Sequence, residues 1–107
     1  MGKSFLSFAA AVILQALDNG YQYGFDIMDI TGLPSGTVYP ALRRLEKEGL
    51  VTARWEPEDA AHADNRPARR YYELNEFGEE FLAEARQKFR MLSRAVPPKP
   101  KARPSRA

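Results

Sequence analysis

The stretch Tyr23 to Leu50, YGFDIMDITGLPSGTVYPALRRLEKEGL, decides the fold of this 107-residue chain. It begins with a short helical pattern in which Tyr23, Ile27 and Ile30 recur at helical spacing. Residues 31–34, Thr-Gly-Leu-Pro, interrupt that pattern with residues that favour a turn. A second helical pattern follows directly. Two short helices joined by a tight turn indicate a helix-turn-helix, whose second helix enters the major groove of DNA.

The second helix of this stretch has one apolar and one basic side. We expect it to begin at a capping residue, Ser35, and to end at Gly49. Val38, Leu42 and Leu45, at i, i+4 and i+7, form the buried side. The alternative for the basic side is a charged face that only contacts solvent, but the preceding helix and turn favour DNA binding. The side chains predicted to contact phosphates or base edges are Ser35, Thr37, Tyr39, Arg43, Arg44 and Lys47.

Two predicted strands and a long loop follow, which is the pattern of a wing. Residues 50–56 predict the first strand, residues 57–67 the loop and residues 68–74 the return strand. Aromatic residues on adjacent strands usually pack together in a core, and we predict this here, with stacking on a flat ligand as the alternative. The aromatic residues concerned are Trp55, Tyr71 and Tyr72.

Arginines cluster where the predicted loop meets its second strand. Arg66 and Arg69 are predicted to reach the DNA backbone or the minor groove, whose negative potential favours arginine. Arg70 lies beside them, and a DNA contact is predicted less strongly for it than for Arg66. The alternative is that these arginines form ion pairs across the hairpin, with Glu56, Glu58 and Asp59.

Helices are predicted at both ends of the domain. Residues 5–17, after a cap at Ser4, are apolar almost all round, so this helix must be covered on more than one side. Residues 76–93, after a cap at Asn75, carry an apolar stripe longer than so small a domain needs. A regulator that reads a two-fold operator is a dimer, and we predict one here, with packing of the last helix on its own domain as the alternative. The predicted dimer interface comprises Phe5, Phe8, Val12, Phe81, Leu82, Ala85, Phe89 and Leu92.

Charge is distributed unevenly along the chain. The overall net charge of +2 and the +5 of residues 94–107 leave −3 for residues 1–93. DNA binding by the globular part must therefore use a local basic patch. The negative charge also supports a rival function, a winged helix that binds another protein and no DNA. Residues 94–107 are rich in Pro, Lys and Arg and are predicted to be a disordered tail that either adds phosphate contacts or is inert.

Several function classes lack the residues that they need. No cysteine is present, which excludes disulfides and thiolate metal sites and is compatible with a cytoplasmic protein. His62 has no metal-ligand partners at suitable spacing and is predicted to be a loop residue. No catalytic constellation or cofactor motif is recognisable, so neither an enzyme nor a cofactor is predicted. No apolar stretch is long enough to span a bilayer, and no membrane partner is predicted.

The segments TGLPSGTVYPALRRLEKEGLV (31–51), WE (55–56) and RPARRYYELNEFG (66–78) together resemble the PadR family of bacterial transcriptional regulators. ILQAL and YGFDI extend the similarity, which covers about residues 8–93. Asn65 stands where the family has a glycine, and asparagine also tolerates positive φ. The resemblance assigns Ser35, Thr37, Tyr39, Arg43 and Arg44 to the recognition segment, and Arg66 and Pro67 to the wing. It implies dimerisation through the C-terminal helix, repression of nearby promoters and, in some members, release by a small-molecule effector.

The sequence therefore predicts a mainly α fold with a small β-hairpin (α+β). Residues 1–75 form a winged helix-turn-helix, residues 76–93 a C-terminal dimerisation helix and residues 94–107 the tail. The predicted function is a sequence-specific, homodimeric regulator of transcription, a repressor bound to a palindromic operator. Its predicted partners are double-stranded DNA, a second copy of the chain and, as in some relatives, a small-molecule effector.

Overall fold

A computed structural model describes residues 7–99 of the chain. It contains six helices and a two-stranded antiparallel hairpin, in agreement with the predicted fold class. None of the helices in the described part has the length and apolar character needed to cross a bilayer. In chain order the elements are α1 (Phe8–Asp18), α2 (Gly24–Thr31), α3 (Ser35–Lys47), β1 (Val51–Trp55), α4 (Glu58–Ala63), β2 (Arg70–Leu74), α5 (Glu76–Lys88) and α6 (Leu92–Ala95).

The central helix of the fold is α1. It contacts α2, α3, α5, α6 and β2, and residues 11–17 are all buried, so its all-round apolar character is satisfied within one chain. The helix begins later than predicted, because the Ser7 side chain caps it by accepting a hydrogen bond from the Ala10 N–H at 3.0 Å. Ser4, the predicted cap, lies outside the described residues.

The helix-turn-helix has the predicted turn but a different cap. Gly32 at φ +76° ends α2, and Gly49 at φ +80° follows the end of α3. Both glycines occupy the left-handed region that other residues adopt only with strain. The prediction that Ser35 caps α3 is wrong. Pro34 is the N-cap residue, because its extended backbone (φ −76°, ψ 161°) lets its carbonyl accept hydrogen bonds from the Thr37 and Val38 N–H groups.

The hairpin pairs Val51 with Leu74 at one end and Trp55 with Arg70 at the other. The predicted loop between the strands is wrong in one respect, because residues 58–63 form the short helix α4. Pro57 precedes this helix, and its first turn is acidic, which suits the positive end of a helix dipole. Ala61, within α4, is buried.

A glycine allows α5 to pack closely against the segment that joins α3 to β1. A Cβ atom at Gly78 would collide with the carbonyl oxygen of Leu50. Asn75 caps α5 as predicted, since its side-chain oxygen accepts a hydrogen bond from the Gly78 N–H at 2.9 Å. The Asn75 side-chain amide also donates to the Gly49 carbonyl at 2.8 Å. This junction therefore fixes the last long helix to the helix-turn-helix.

The single helix predicted over residues 76–93 is interrupted. The backbone of Phe89 is extended (φ −115°, ψ 91°), which ends α5 at Lys88, and α6 begins at Leu92. The break turns the chain back toward α1, where Leu92 and Val96 are fully buried.

The prediction of a disordered tail is wrong for its described part, residues 94–99. The Val96 carbonyl accepts a hydrogen bond from the Asn19 side chain at 2.9 Å, and the Pro97 carbonyl accepts one from the Tyr21 hydroxyl at 3.0 Å. The Lys99 N–H donates to the Asn19 carbonyl at 3.3 Å. Residues 94–99 are thus part of the folded domain, and residues 100–107 lie outside the described part.

Candidate nucleic-acid interface

Helix α3 separates its buried and basic sides as the sequence predicts. Val38 and Leu42 are fully buried, and Leu45 nearly so, because they pack into the core beside α1 and α2. The polar side chains on the other side of the helix are exposed or half-buried. Those predicted to contact DNA along this helix are Ser35, Thr37, Tyr39, Arg43, Arg44 and Lys47.

The basic side chains along α3 differ in whether they form an ion pair with a carboxylate. Arg44 donates to Glu48 at 3.1 Å, in an exposed pair one helical turn apart. Arg43 and Lys47 have no ion-pair partner within residues 7–99. An unpaired surface cation can bind a phosphate without first leaving another partner. Arg43 and Lys47 are therefore the cations best prepared for phosphate.

Tyr39 of α3 packs against the first turn of α2, the other helix of the helix-turn-helix. A Cβ atom at Gly24, in the first turn of α2, would collide with the Tyr39 ring. The ring therefore lies directly against the backbone of α2, yet 40% of the residue is exposed. One side of Tyr39 packs within the protein while its remaining surface is available to a ligand.

Arg66 is the centre of a closed ion-pair cluster in the wing. Its two terminal nitrogens donate to the two carboxylate oxygens of Glu56 at 2.6 and 2.8 Å, and one also donates to Asp64 at 3.2 Å. The Glu56 carboxylate accepts a further hydrogen bond from the Arg69 N–H at 3.2 Å. These donors, the Arg66 guanidinium first, lower the pKa of Glu56 from 4.5 to about 2. The Arg66 side chain is only 24% exposed. Its contact with Glu56 is the ion pair across the hairpin that the sequence left open as the alternative to a DNA contact.

The cluster holds the wing in shape. The Arg66 N–H donates to the Ala61 carbonyl at the end of α4, at 3.1 Å. Asn65 adopts φ +58°, a positive value that asparagine tolerates better than most residues. The Glu56 N–H donates to the Arg69 carbonyl at 2.7 Å, which extends the hairpin ladder beyond β1 and β2. Glu56 and Arg66 thus determine where the neighbouring Arg69 is presented.

The next two arginines rest on aromatic rings. The Arg69 guanidinium carbon lies 4.9 Å from the centre of the Tyr23 ring, which stacks edge-on against Tyr71. Arg69 is exposed, so its cation remains accessible beside α2. The Arg70 guanidinium lies 5.6 Å from the centre of the Trp55 ring and donates to Glu46 on α3 at 3.0 Å.

The prediction that the hairpin aromatics form a core is wrong for one of the three. Tyr72 is buried, and this burial raises the pKa of its hydroxyl. Tyr71 is half-buried against Tyr23. Trp55 is 63% exposed, at the end of β1. The cluster of Trp55, Arg70 and Glu46 is the part of this surface that the sequence did not reveal. The cluster could be found in the sequence only from the register of the hairpin, which pairs Trp55 with Arg70 across the two strands.

His62 lies on α4 rather than in an irregular loop, and it is exposed there. Within residues 7–99, no group of three or more His, Cys, Asp or Glu side chains is arranged to hold a metal ion.

Four of the residues predicted for the dimer interface are core residues of the single chain. Because α5 and α6 pack back on α1, the side chains of Val12, Leu82, Ala85 and Leu92 are buried and offer no surface to a second copy. Their assignment to a dimer interface is therefore corrected.

The aromatic residues of the same prediction remain accessible. Phe8 is 49% exposed and contacts Phe89 edge-on, with ring centres 5.2 Å apart. Phe81 and Phe89 are half-buried, and Phe5 lies outside the described residues.

Comparisons with known proteins agree with this arrangement. The family model described as the transcriptional regulator PadR-like family matches residues 13–84. A PadR family transcription regulator from hypervirulent Clostridium difficile R20291 is 26% identical, over 82% of this chain and 93% of that chain, with a TM-score of 0.68. A PadR-like transcription factor from Bacteroides fragilis is 28% identical, over 79% and 82% of the two chains, with a TM-score of 0.63. A PadR-like regulator from Bacillus cereus strain ATCC 14579 is 26% identical, over 79% and 84%, with a TM-score of 0.61. A comparison with curated proteins gives no match.

Proposed function

The chain belongs to the PadR-like family of transcriptional regulators and is therefore a DNA-binding regulator of transcription, and we propose that α3 is its recognition helix. The observation that carries the proposal is the division of α3 into a buried side, with Val38 and Leu42, and an exposed basic side, with Arg43 and Lys47. A helix of this kind fits the major groove, where arginine and lysine reach phosphates or guanine edges.

The proposed contacts follow the position of each side chain on α3. The exposed N-terminus, with Ser35 and Thr37, suits a phosphate, because the first N–H groups of a helix attract anions. Arg43, Arg44 and Lys47 lie further along the helix and are proposed to contact the bases and the backbone beside them.

The wing arginines receive different roles in the proposal. Arg69 is exposed beside α2 and is proposed to bind a phosphate or to enter the minor groove. Arg66 is tied to Glu56 by two short hydrogen bonds, so any DNA contact that it makes uses what remains of its exposed edge. Its main effect is to hold Arg69 in place.

The proposed mode of action is repression by a homodimer at a palindromic operator. Two copies related by a two-fold axis present two α3 helices, which then read half-sites about one turn of DNA apart. A bound dimer blocks a nearby promoter, and a small-molecule effector that binds the DNA-free state better would release it. Such a protein acts where the chromosome lies, in the bacterial cytoplasm, and the proposal gives it no catalytic activity.

The experiment that tests the proposal is selection of genomic DNA fragments by the purified protein at moderate salt, followed by sequencing. The expected result is a short inverted repeat whose affinity falls steeply with salt, because phosphate contacts release counterions. Folded protein that enriches no sequence would contradict the recognition role of α3.

The same selection repeated with Arg43→Ala/Lys47→Ala protein is the control for α3. Both side chains are exposed and without ion-pair partners in the described residues, so the variant should fold normally and lose the enriched repeat.

A further inference from the structure

Arg70 is held by two side chains that come from different elements. Its Nη2 atom donates to both carboxylate oxygens of Glu46 on α3, at 3.0 and 3.3 Å. Its guanidinium also lies over the ring of Trp55, the residue directly opposite on β1. The Arg70 and Glu46 side chains are 40% and 35% exposed, so water and salt screen their attraction. The pair is therefore held weakly.

This pair lies among the cations that are proposed to bind DNA. Glu46 directly precedes Lys47 and follows Arg43 by three positions, nearly one turn of α3. Its negative charge opposes the approach of a phosphate to both. It also occupies the guanidinium of Arg70, which is shaped to bind a phosphate through two parallel hydrogen bonds.

We propose that Arg70 exchanges partners when the protein binds DNA, leaving Glu46 for a backbone phosphate, and that Glu46 is an internal competitor that lowers the affinity for DNA. The inference rests on the proposed recognition role of α3. Leaving Glu46 costs little because exposed ion pairs are weak, whereas a phosphate contact releases counterions from the DNA. Trp55 supports the guanidinium at the surface while its partner changes.

The ion pair of Arg66 with Glu56 is shorter and less exposed than the ion pair of Arg70 with Glu46. Its two hydrogen bonds are 2.6 and 2.8 Å long, and the Glu56 side chain is only 9% exposed. Arg70 shares none of these features: its contacts are longer and both partners face solvent. Of these two paired wing arginines, Arg70 is therefore the one prepared to change partner.

The first test compares Glu46→Gln with a matched control, Glu73→Gln, in binding titrations on the selected operator. Glu73 pairs with Arg54 on the opposite face of the hairpin, at 3.4 Å and with similar exposure, so both substitutions remove one negative charge. We expect Glu46→Gln to bind roughly fivefold more tightly than wild type, the factor that a weak exposed pair supplies, and Glu73→Gln to bind as wild type does.

A double-mutant cycle then separates partner exchange from a general charge effect. Arg70→Gln should weaken binding and lower the slope of log affinity against log salt by about one, because one phosphate contact is lost. The gain produced by Glu46→Gln should become clearly smaller in the Arg70→Gln background, because the part that acts through Arg70 is lost and only the charge effect on Arg43 and Lys47 remains.

Tryptophan fluorescence provides a second measurement of the exchange of partners by Arg70. Trp55 is the only tryptophan, so tryptophan fluorescence reads the environment of the ring under Arg70. Saturating DNA should change the emission of wild type, and Arg70→Gln should reduce that change.

Each outcome decides something definite. Equal affinities of wild type and Glu46→Gln, or an equal gain with Glu73→Gln, would overturn the exchange while leaving the recognition role of α3 intact. A gain of undiminished size in the Arg70→Gln background would overturn it as well. Wild-type protein that binds no operator would instead overturn the recognition role, and the exchange with it.

Discussion

The arginines of this surface differ in how tightly a neighbouring carboxylate binds them. Some are held within the protein, and others remain accessible to a ligand. Arg66 has two short hydrogen bonds to Glu56 and acts as a structural residue of the wing. Arg44 has a single contact to Glu48, with 60% of its side chain exposed. Residue type alone therefore does not identify a DNA contact, because the position of the nearest carboxylate decides what the cation can bind.

At the residue scale we predict that Arg44→Ala weakens operator binding about tenfold and leaves the thermal midpoint almost unchanged. The loss reflects one missing contact to DNA, worth about 1–3 kcal/mol. An exposed i,i+4 pair contributes only about 0.3–0.5 kcal/mol to folding. Gel-shift titration and thermal unfolding measure the two effects.

The control is Arg54→Ala, which removes an equally exposed arginine from the outer face of the hairpin. It should bind the operator like wild type. Undiminished affinity of the Arg44→Ala protein would remove Arg44 from the proposed interface.

A second prediction at this scale concerns Gly78. Gly78→Ala places a methyl group against the Leu50 carbonyl oxygen, a backbone atom between α3 and β1 that cannot move aside as the end of a flexible side chain could. We expect the free energy of unfolding to fall by about 1–3 kcal/mol, as for other overpacked sites. Urea titration measures it.

Gly36→Ala provides the comparison, since nothing lies within 4 Å of the added Cβ atom and the residue is helical. Its stability should be unchanged or slightly higher. If both variants were equally stable, the close contact of α5 with the segment that joins α3 to β1 would not be a constraint.

Among the elements, the wing depends most on a single ion pair. The folded-state pKa of Glu56 is lowered from 4.5 to about 2, mainly by hydrogen bonding to Arg66. A lowered pKa means that the carboxylate stabilises the fold fully above pH 4.5, and that this contribution is lost as the pH falls toward 2.

We therefore predict that the wild-type thermal midpoint falls more steeply than that of Glu56→Gln between pH 4.5 and 2, so that the two proteins become alike near pH 2. Trp55 precedes Glu56 and reports opening of the wing by fluorescence in the same samples. A constant difference between the two proteins across this range would contradict the assigned role of the pair.

The elements that the sequence predicts correctly are those specified by neighbouring residues. The turn between α2 and α3, the two sides of α3 and the Asn75 cap all follow from residues within about one helical turn of each other. The break at Phe89 and the docking of residues 96–99 depend instead on contacts across the whole chain, such as Asn19 with the Val96 carbonyl. No local pattern encodes such contacts, and a Pro-rich, basic composition suggested disorder instead.

The candidate site divides in the same way. The basic face of α3 is visible in the sequence, since helical spacing alone brings its residues together. The contact of Arg70 with Glu46 joins positions 24 apart and depends on how the hairpin docks on α3. The exposure of Trp55, at the end of β1, likewise does not follow from strand spacing alone.

For the whole molecule, the proposed dimer needs a surface that the single chain leaves accessible. Four of the predicted interface residues are core residues, so the proposed contact consists of Phe8, which is 49% exposed, and the half-buried Phe81 and Phe89. We predict that Phe8→Asp converts a dimer to a monomer in sedimentation and weakens binding to a full palindrome, while the thermal midpoint of each chain changes little.

Phe25→Asp is the matched control, because Phe25 is an exposed phenylalanine (67%) on a different helix, α2. It should leave the sedimentation coefficient unchanged. A wild-type monomer, or a Phe8→Asp dimer, would contradict the proposed contact.

The burial of residues 11–17 in α1, set beside the exposed face of α3, has an evolutionary consequence. Almost any mutation in the inner turns of α1 alters the core, so selection for folding restricts what can be inherited there. On the outer face of α3, Arg43 and Lys47 are exposed and form no ion pair within the described residues, so they can be replaced almost independently of that constraint. With α3 as the proposed recognition helix, a gene of this kind can be duplicated and redirected to a new operator through a handful of codons.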